Sequence, residues 1–307
     1  MAEDRENGRS PGDRNVIRAS LVEPPVQREP GRGVPPSGSA RGVRLILILL
    51  VLGPVLWMWA PRERARWYTA KALEQQLAGD PEEALTYLNR ALEWDRQSDW
   101  LYRQRADWLV DAGRYEQALE DYTRAIALSP GEALNYMQRS VAWQYLGRHD
   151  QSIADWERVV ELFSNRSSRH RAIAWNGLAY ARALGKRDLE QALEDIERAL
   201  AIFGPDPAML DTRGYLRFLG GDLEAAREDL NQAVQTIENQ HAELKQRRDY
   251  ADRREHEQRV RQHAHSVAVL RYHRALIYEQ LGEPEQAAQD VGRVRQLGFE
   301  PDRSRLF

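Results

Sequence analysis

The chain has 307 residues, and its 44 Lys and Arg residues nearly balance its 47 Asp and Glu residues, so the formal net charge is only −3. This balance argues against a nucleic-acid-binding protein that relies on bulk positive charge. The chain contains no cysteine, which excludes a disulfide framework, a thiol nucleophile and any zinc or iron–sulfur site built on cysteine. The apolar content of 42%, with 9 Trp and 12 Tyr, is typical of a chain that folds around a sizeable core.

The N-terminal residues 1–42 differ in composition from the rest of the chain. They show no hydrophobic periodicity and are rich in Arg, Gly, Pro and Ser. Such a composition buries too little apolar surface to offset the entropy lost on ordering. We therefore expect a disordered tail that acts as a spacer, and its proline-containing stretches could alternatively be groove ligands in the polyproline conformation.

A strongly apolar segment follows the tail. Residues 45–60 read LILILLVLGPVLWMWA and carry no charge; Arg44 precedes them, and Arg62, Arg64 and Arg66 follow them. As a helix this segment would be about 24 Å long, shorter than the hydrocarbon core of about 30 Å, so snorkelling arginines or local bilayer thinning would close the gap. The pattern predicts a transmembrane segment.

We predict that residues 43–60 form one uncleaved transmembrane anchor, which makes the protein a single-pass membrane protein. A cleaved signal peptide is an alternative, but Pro61 directly after Ala60 and the large Met58 disfavour cleavage. A buried helix of a soluble protein is a second alternative. Basic residues occur on both sides of the segment, so the positive-inside rule does not indicate which side of the membrane the remaining chain occupies.

From residue 61 onward, small, Gly, small, large and small residues recur in a fixed order, as in Ala106, Gly113, Ala118, Tyr122 and Ala125. The glycines are 34, 34, 38, 36 and 61 residues apart, so only the last interval requires a true insertion, while the fourth copy has extra turn residues at 186–188. The other five copies are Ala72, Gly79, Ala84, Leu88 and Ala91; Ser140, Gly147, Ser152, Trp156 and Val159; Ala179, Gly185, Ala192, Ile196 and Ala199; Gly214, Gly221, Ala226, Leu230 and Ala233; and Ala275, Gly282, Ala287, Val291 and Val294.

Helix packing explains this ladder of residues. Each copy has two stretches with apolar residues at helical spacing, separated by a glycine, which indicates helix, C-cap turn and helix. Small residues allow paired helices to approach closely, and large residues fill the space between neighbouring pairs: Trp108, Tyr122, Trp143, Trp156 and Trp175. One pair cannot bury its own apolar face, whereas a stack of pairs can. We therefore predict an all-α solenoid of about six helical hairpins over residues 61–307, with an ordinary helical bundle as the alternative.

The segment WLVDAGRYEQALEDYTRAIALSP, from Trp108 to Pro130, closely resembles the tetratricopeptide repeat, a helix–turn–helix unit of about 34 residues. The resemblance extends over about 65–300. It implies a groove that is lined by the first helix of each unit and holds a protein or peptide partner. By position, the candidate groove residues are Trp100, Arg103, Asp107, Gln138, Gln144, Tyr145, Asn176, Tyr180 and Tyr215. For each of them, packing between repeats is the alternative role.

Some members of this family hold a C-terminal carboxylate with Lys and Asn side chains. This chain offers Arg103 and Asn176 at such positions but not the full Lys and Asn set, which argues against a carboxylate clamp.

A charged insertion separates the fifth and sixth copies. Residues 236–266 contain six acidic and seven basic residues and neither Gly nor Pro, which predicts a helix extending from the fifth unit. Leu230, Ile237, Leu244 and Ala251 recur every seven residues, a narrow stripe that could pack against another helix. We expect a solvated helical arm, with self-association or partner docking as the alternative role.

The remaining motifs give no support for catalysis. Five histidines occur near the insertion, at 241, 256, 263, 265 and 273, but no carboxylate or second histidine pair completes a metal site. His256 and Glu257 begin like a zinc-protease HExxH helix, yet Val260 occupies the place of the second histidine. Neither a phosphate-binding loop nor a nucleophile elbow occurs. We therefore predict no catalytic residue, no cofactor and no metal.

These observations lead to two hypotheses. The first is a membrane-anchored, non-enzymatic scaffold or adaptor that binds a protein or peptide partner in its groove and does not bind nucleic acid. The second is a structural protein that assembles into homo-oligomers, because no obvious capping helix follows the sixth unit, which ends at Leu306 and Phe307.

Overall fold

The computed structural model describes residues 61–246 and 253–300, and within these ranges every regular element is an α-helix. The predicted tail at 1–42 and the predicted anchor at 43–60 lie outside the described residues. Among the described helices, none is both long enough and apolar enough to cross a bilayer. The helices are α1 (61–78), α2 (Pro81–Trp94), α3 (Asp99–Asp111), α4 (Tyr115–Leu128), α5 (Ala133–Tyr145), α6 (His149–Phe163), α7 (Ser168–Gly185), α8 (Leu189–Phe203), α9 (Pro207–Leu219), α10 (Leu223–Gln246), α11 (Arg253–Leu281) and α12 (Pro284–Gln296).

The helices form consecutive hairpins, and each helix from α2 to α11 packs against the next one in the chain. The small residues of the sequence ladder are buried in the helices, from Ala72 in α1 to Ala287 in α12. Ser152 and Val159, where the third copy has a polar and a β-branched residue in place of alanine, are both 0% exposed. Within the described residues, the predicted all-α solenoid of about six hairpins is therefore confirmed.

Glycine ends the first helix of most hairpins, as predicted. Gly113 has a φ of 72°, and equivalent positive values occur at Gly79, Gly147, Gly221 and Gly282. Behind Gly113, the backbone N–H of Arg114 donates to the carbonyl oxygen of Leu109 over 2.8 Å. Only glycine adopts this left-handed conformation without a steric penalty, which is why the residue recurs at each turn.

The fourth hairpin departs from the other copies: its turn lies at 186–188, where the extra turn residues were predicted, and Gly185 is not its left-handed residue. Gly185 is the last residue of α7, and the left-handed residues are Lys186, with φ 50°, and Asp188, with φ 45°. Gly185 is needed for another reason: a Cβ at this position would lie 2.9 Å from the Cβ of His149. The absence of a side chain therefore allows the end of α7 to approach the start of α6.

This turn gives a first testable prediction. Replacing Lys186 with glycine removes a left-handed side-chain penalty, so we expect the free energy of unfolding to rise by about 0.5–1 kcal/mol. Arg187→Gly is the matched control, because Arg187 is also exposed but does not have a positive φ. Urea unfolding followed by circular dichroism checks both variants. Stabilisation by both glycines, or by neither, would contradict the assignment of strain to Lys186.

The charged insertion is divided between two helices. It extends α10, as predicted, but residues 253–266 belong to the start of α11, so both helices of the arm are longer than the 13–18 residues of α2 to α9, with 24 and 29 residues. Three members of the predicted stripe are buried, with Leu230 1%, Ile237 7% and Leu244 9% exposed, and the fourth, Ala251, lies outside the described residues. Ile237 belongs to a cluster with Val267 and Leu270 of α11, which confirms that the stripe packs against another helix.

Candidate functional site

The nine predicted groove residues all lie on the first helices of hairpins. We call the side of the solenoid that carries them the first-helix face. Three belong to α3, three to α5, two to α7 and one to α9: Trp100, Arg103 and Asp107; Gln138, Gln144 and Tyr145; Asn176 and Tyr180; and Tyr215. We call the residues on α3 and α5 the N-terminal group and those on α7 and α9 the C-terminal group.

The N-terminal group connects α3 to α5. Arg103 Nη1 donates to Asn135 Oδ1 over 3.1 Å. Asp107 Oδ1 accepts from the Tyr122 hydroxyl over 2.7 Å and from Gln138 Nε2 over 3.3 Å. These bonds join neighbouring hairpins, so part of the hydrogen-bonding capacity of Arg103, Asp107 and Gln138 is used inside the fold.

Asp107 has an unusual electrostatic environment. Burial raises the pKa of its carboxyl group, and this effect exceeds the opposing hydrogen bond from Tyr122 and the attraction of Arg103. An acid whose pKa is raised on folding favours the folded state most at low pH, where it is protonated. Its contribution to stability is therefore present below the pKa of the unfolded chain and is lost as the pH rises through the pKa in the folded state.

The variant Asp107→Asn tests this expected dependence of stability on pH. We expect the stability of the wild type relative to the variant to fall as the pH is raised from acidic values towards neutral, because the carboxyl group of Asp107 then loses its proton in a buried site. The measurement is the urea midpoint of both proteins at several pH values. A stability difference that stays constant or grows with pH would show that folding does not raise the pKa of Asp107.

The other predicted residues on α3 and α5 are Gln144, Trp100 and Tyr145, and the two aromatic ones are exposed. Gln144 Nε2 donates to Ser152 Oγ over 3.1 Å, a bond within its own hairpin. Trp100 is 43% exposed and Tyr145 is 60% exposed. The Tyr145 ring stacks on that of Tyr115 in α4, with centroids 4.6 Å apart and planes at 10°. Trp100 and Tyr145 are therefore accessible aromatic surfaces of the first-helix face.

A small pocket lies between α9, α10 and α11, and Tyr215 of the C-terminal group lines it. Its cavity volume is about 20 Å³, room for roughly one water molecule. Across it, His273 Nδ1 lies 2.7 Å from Asp211 Oδ1, which joins α11 to α9. The residues that line the pocket are Asp211, Tyr215, Phe218, Leu230, His273, Leu276 and Ile277.

Tyr180 lies close to this pocket. Burial raises the pKa of its hydroxyl group, and the nearby Asp211 and Tyr215 raise it further. Burial also raises the pKa of Tyr215. We call Tyr145, Tyr180 and Tyr215, with Asp211 and His273, the aromatic face. It combines phenol rings with the acidic side chain of Asp211, an arrangement that suits apolar and hydrogen-bonding contacts with a protein segment.

Sequence reasoning missed Asp211 and assigned no groove role to His273. Both lie on first helices, so including more positions of α9, beside Tyr215, and adding α11 could have found them. Asn176 of α7, which was predicted, has its Oδ1 buried without a hydrogen-bond partner among the described residues. The structure thus brings Tyr145, Tyr180 and Tyr215 into one region and places Asn176 on the same helix as Tyr180.

The histidines of the arm do not converge on a metal site. Within 61–246 and 253–300, no group of three His, Cys, Asp or Glu side chains could hold a metal ion. Burial lowers the pKa of His241, and the nearby Lys245 and His263 lower it further. His241 is therefore a neutral side chain packed within the arm at pH 7.

A second repeated feature lies inside the hairpins, and sequence analysis did not identify it. In five hairpins an arginine of the first helix pairs with an aspartate of the second helix, and the aspartate side chains are 1–7% exposed. The same arginine also donates to the second helix of the preceding hairpin, at Asn89, Thr123, Glu157, Glu197 and Asn231 in turn. We call this set the Arg–Asp ladder: Arg105 and Asp121, Arg139 and Asp155, Arg182 and Asp195, Arg213 and Asp229, and Arg274 and Asp290.

Comparisons with known proteins identify the repeat. Family models described as tetratricopeptide repeat match residues 65–98 and 141–207. These two ranges of the chain therefore contain tetratricopeptide repeats. No curated protein matches the chain in sequence.

Solved structures share the fold at low sequence identity. MamA from Desulfovibrio magneticus RS-1, residues 41 to the end, is 19% identical with a TM-score of 0.50, and the match covers 58% of this chain and 97% of that one. PilW, described as a widely conserved type IV pilus biogenesis factor, is 16% identical with a TM-score of 0.54, covering 76% and 92%. A tetratricopeptide repeat protein from Parabacteroides merdae is 16% identical with a TM-score of 0.51, covering 77% and 94%. At these identities the likeness establishes the solenoid fold alone.

Proposed function

We propose that this protein is a membrane-anchored, non-enzymatic scaffold or adaptor that binds a protein or peptide partner on its first-helix face. Tetratricopeptide repeats typically serve as protein-interaction modules, and the matches at 65–98 and 141–207 support this class of function. The observation that carries the proposal is the aromatic face, together with the exposed Trp100 on the same first-helix face.

Binding on this face combines apolar surface with a stacking surface. Phe218, Leu276 and Ile277 line the small cavity beside Tyr215 and provide apolar contacts next to its ring. The exposed Tyr145 and Trp100 add flat contact area on α5 and α3, and tyrosine and tryptophan contribute strongly to binding energy in protein interfaces. The polar residues Arg103, Asp107 and Gln138 then set the register of the bound segment.

The membrane anchor is the second part of the proposal. It is supported by the uncharged residues 45–60 between Arg44 and the arginines at 62, 64 and 66. The anchor would keep the solenoid near one bilayer and so restrict the search for a partner to that surface. Resistance of the full-length protein to alkaline carbonate extraction tests it.

Site-specific photo-crosslinking tests the binding face. A photoreactive phenylalanine analogue replaces Trp100 or Tyr145 in the full-length protein in native membranes. Phe203 at the end of α8 is the matched control, since it is 43% exposed, as Trp100 is. We expect one discrete adduct from both first-helix positions, which weakens when Tyr215→Ala is added, and no such adduct from Phe203.

Two results would contradict the proposal. Equal adducts from Phe203 and Tyr145 would show that contact is not confined to the first-helix face. Adducts between copies of this chain alone would favour the alternative, a self-assembling structural protein.

A further inference from the structure

The first helix, α1, exposes apolar side chains along one side. Trp67 is 55% exposed, Leu73 is 53% exposed and Leu77 is 80% exposed, the highest value among the large apolar side chains of the described residues. On the opposite side of α1, Ala65 and Ala72 are 4% and 0% exposed and belong to the core of the first hairpins. The helix is therefore apolar on two sides, and only one of them is covered.

The exposed residues lie on one side of the helix. At 100° per residue, positions 67, 73 and 77 fall within an arc of about 120° on the helix surface. Glu63 and Glu74 are exposed in the same arc, and each is paired with a basic residue of α1, Arg66 and Lys71. Exposed single apolar residues need no explanation, whereas three large ones on one side of a helix form a candidate contact surface. We call Trp67, Leu73 and Leu77 the α1 stripe.

The charges at the start of α1 indicate which surface the stripe contacts. Arg62, Arg64 and Arg66 are all exposed in its first two turns, with Glu63 as the one acid among them. Arg66 Nη1 lies 2.8 Å from Glu63 Oε1 on the surface. This part of α1 is therefore net positive, and it directly precedes the stripe. Basic residues beside Trp and Leu are the pattern of helices that lie in the headgroup region of anionic membranes.

The position of α1 in the chain points to the same surface. The uncharged residues 45–60 directly precede α1, so only six residues separate Ala60 from Trp67.

We propose that the α1 stripe lies in the headgroup region of an anionic bilayer and holds the first hairpin against the membrane surface. This inference rests on the proposed anchor at 43–60. The solenoid is then oriented by a surface contact as well as tethered, and its first-helix face has a defined direction relative to the membrane.

The absence of cysteine from the chain allows a direct test. Leu73→Cys and Leu77→Cys each provide a unique site for an environment-sensitive fluorophore in the full-length protein. Leu134→Cys is the matched control, because Leu134 is an exposed leucine, 41% exposed, on α5. The proteins are reconstituted into phosphatidylcholine vesicles that contain phosphatidylglycerol. We expect the labels at 73 and 77, but not at 134, to emit at shorter wavelength, to lose quenching by iodide and to gain quenching by a lipid-borne nitroxide.

The outcomes separate the inference from the anchor. If the protein resists carbonate extraction but iodide quenches the label at 77 as strongly as the label at 134, the inference is overturned and the anchor remains. If carbonate releases the protein from the vesicles, the anchor is overturned and the inference with it. Protection of the label at 77 from both iodide and the lipid-borne quencher would show that a second copy covers the stripe, which also overturns the inference.

Discussion

Replacing Asp155 with alanine should lower the free energy of unfolding by about 3 kcal/mol, the lower end of the range for breaking a buried ion pair. Asp155 Oδ1 and Oδ2 accept from Arg139 Nη2 and Nε over 2.6 Å and 2.9 Å. The Asp155 side chain is only 5% exposed and that of Arg139 is 18% exposed. Removing the carboxylate leaves the guanidinium group largely buried without its charged partner. Arg139 keeps some contact with solvent and its hydrogen bond to Thr123, so we expect the loss of stability to lie at the lower end of that range.

Two controls distinguish this cause from a general loss of packing. Glu161→Ala removes the partner of Arg158 in a surface pair whose side chains are 44% and 65% exposed, and it should change stability by less than about 1 kcal/mol. The double variant Arg139→Met with Asp155→Leu replaces both charges by apolar groups and should lie close to the wild type. Urea unfolding followed by circular dichroism, with hydrogen exchange at α5 and α6, measures all three. An Asp155→Ala loss no larger than that of Glu161→Ala would contradict the prediction.

The sequence contained a signal for this ladder, although it was not recognised. Arg139 directly precedes the small residue Ser140, and Asp155 directly precedes the large residue Trp156, so the pair recurs with the packing pattern. Ion pairs on the surface of one helix join residues three or four apart. Arg139 and Asp155 are 16 residues apart and lie on two different helices, so they meet only when the hairpin forms. The fourth hairpin does not keep this spacing of 16 residues, because Arg182 pairs with Asp195 from a different position in α7 and is 13 residues away in sequence.

The fold was predictable to a larger extent than the candidate site. The spacing of small and large residues determines which positions are buried, and residue size follows directly from the amino-acid sequence. For this reason Ser152 was assigned to the buried pattern despite its polarity, and it is 0% exposed. The partners of Arg103 and Asp107 depend on distances between neighbouring hairpins. The contact of Asp211 with His273 spans 62 residues and crosses the insertion, so no local pattern indicates it.

Gly177→Ala should lower the free energy of unfolding by about 2 kcal/mol, within the usual range for overpacking a core. Gly177 lies in α7, and a Cβ at this position would overlap the indole ring of Trp156 in α6. Trp156 is 9% exposed and belongs to the core cluster of the third and fourth hairpins, so the ring has little room to move. The strain should exceed the gain of about 1 kcal/mol that alanine brings to a helix interior.

Gly292→Ala is the matched control, because Gly292 also lies within a helix, α12, and a Cβ there would meet no atom within 4 Å. This variant should therefore be stabilised by about 0.5–1 kcal/mol through helix propensity alone. In a Trp156→Leu background the obstruction is gone, so Gly177→Ala should become neutral or stabilising. This change of sign, measured by urea unfolding of the four proteins, assigns the strain to one contact between hairpins. A loss from Gly177→Ala that is the same in both backgrounds would show that the close approach of α7 to Trp156 is not its cause.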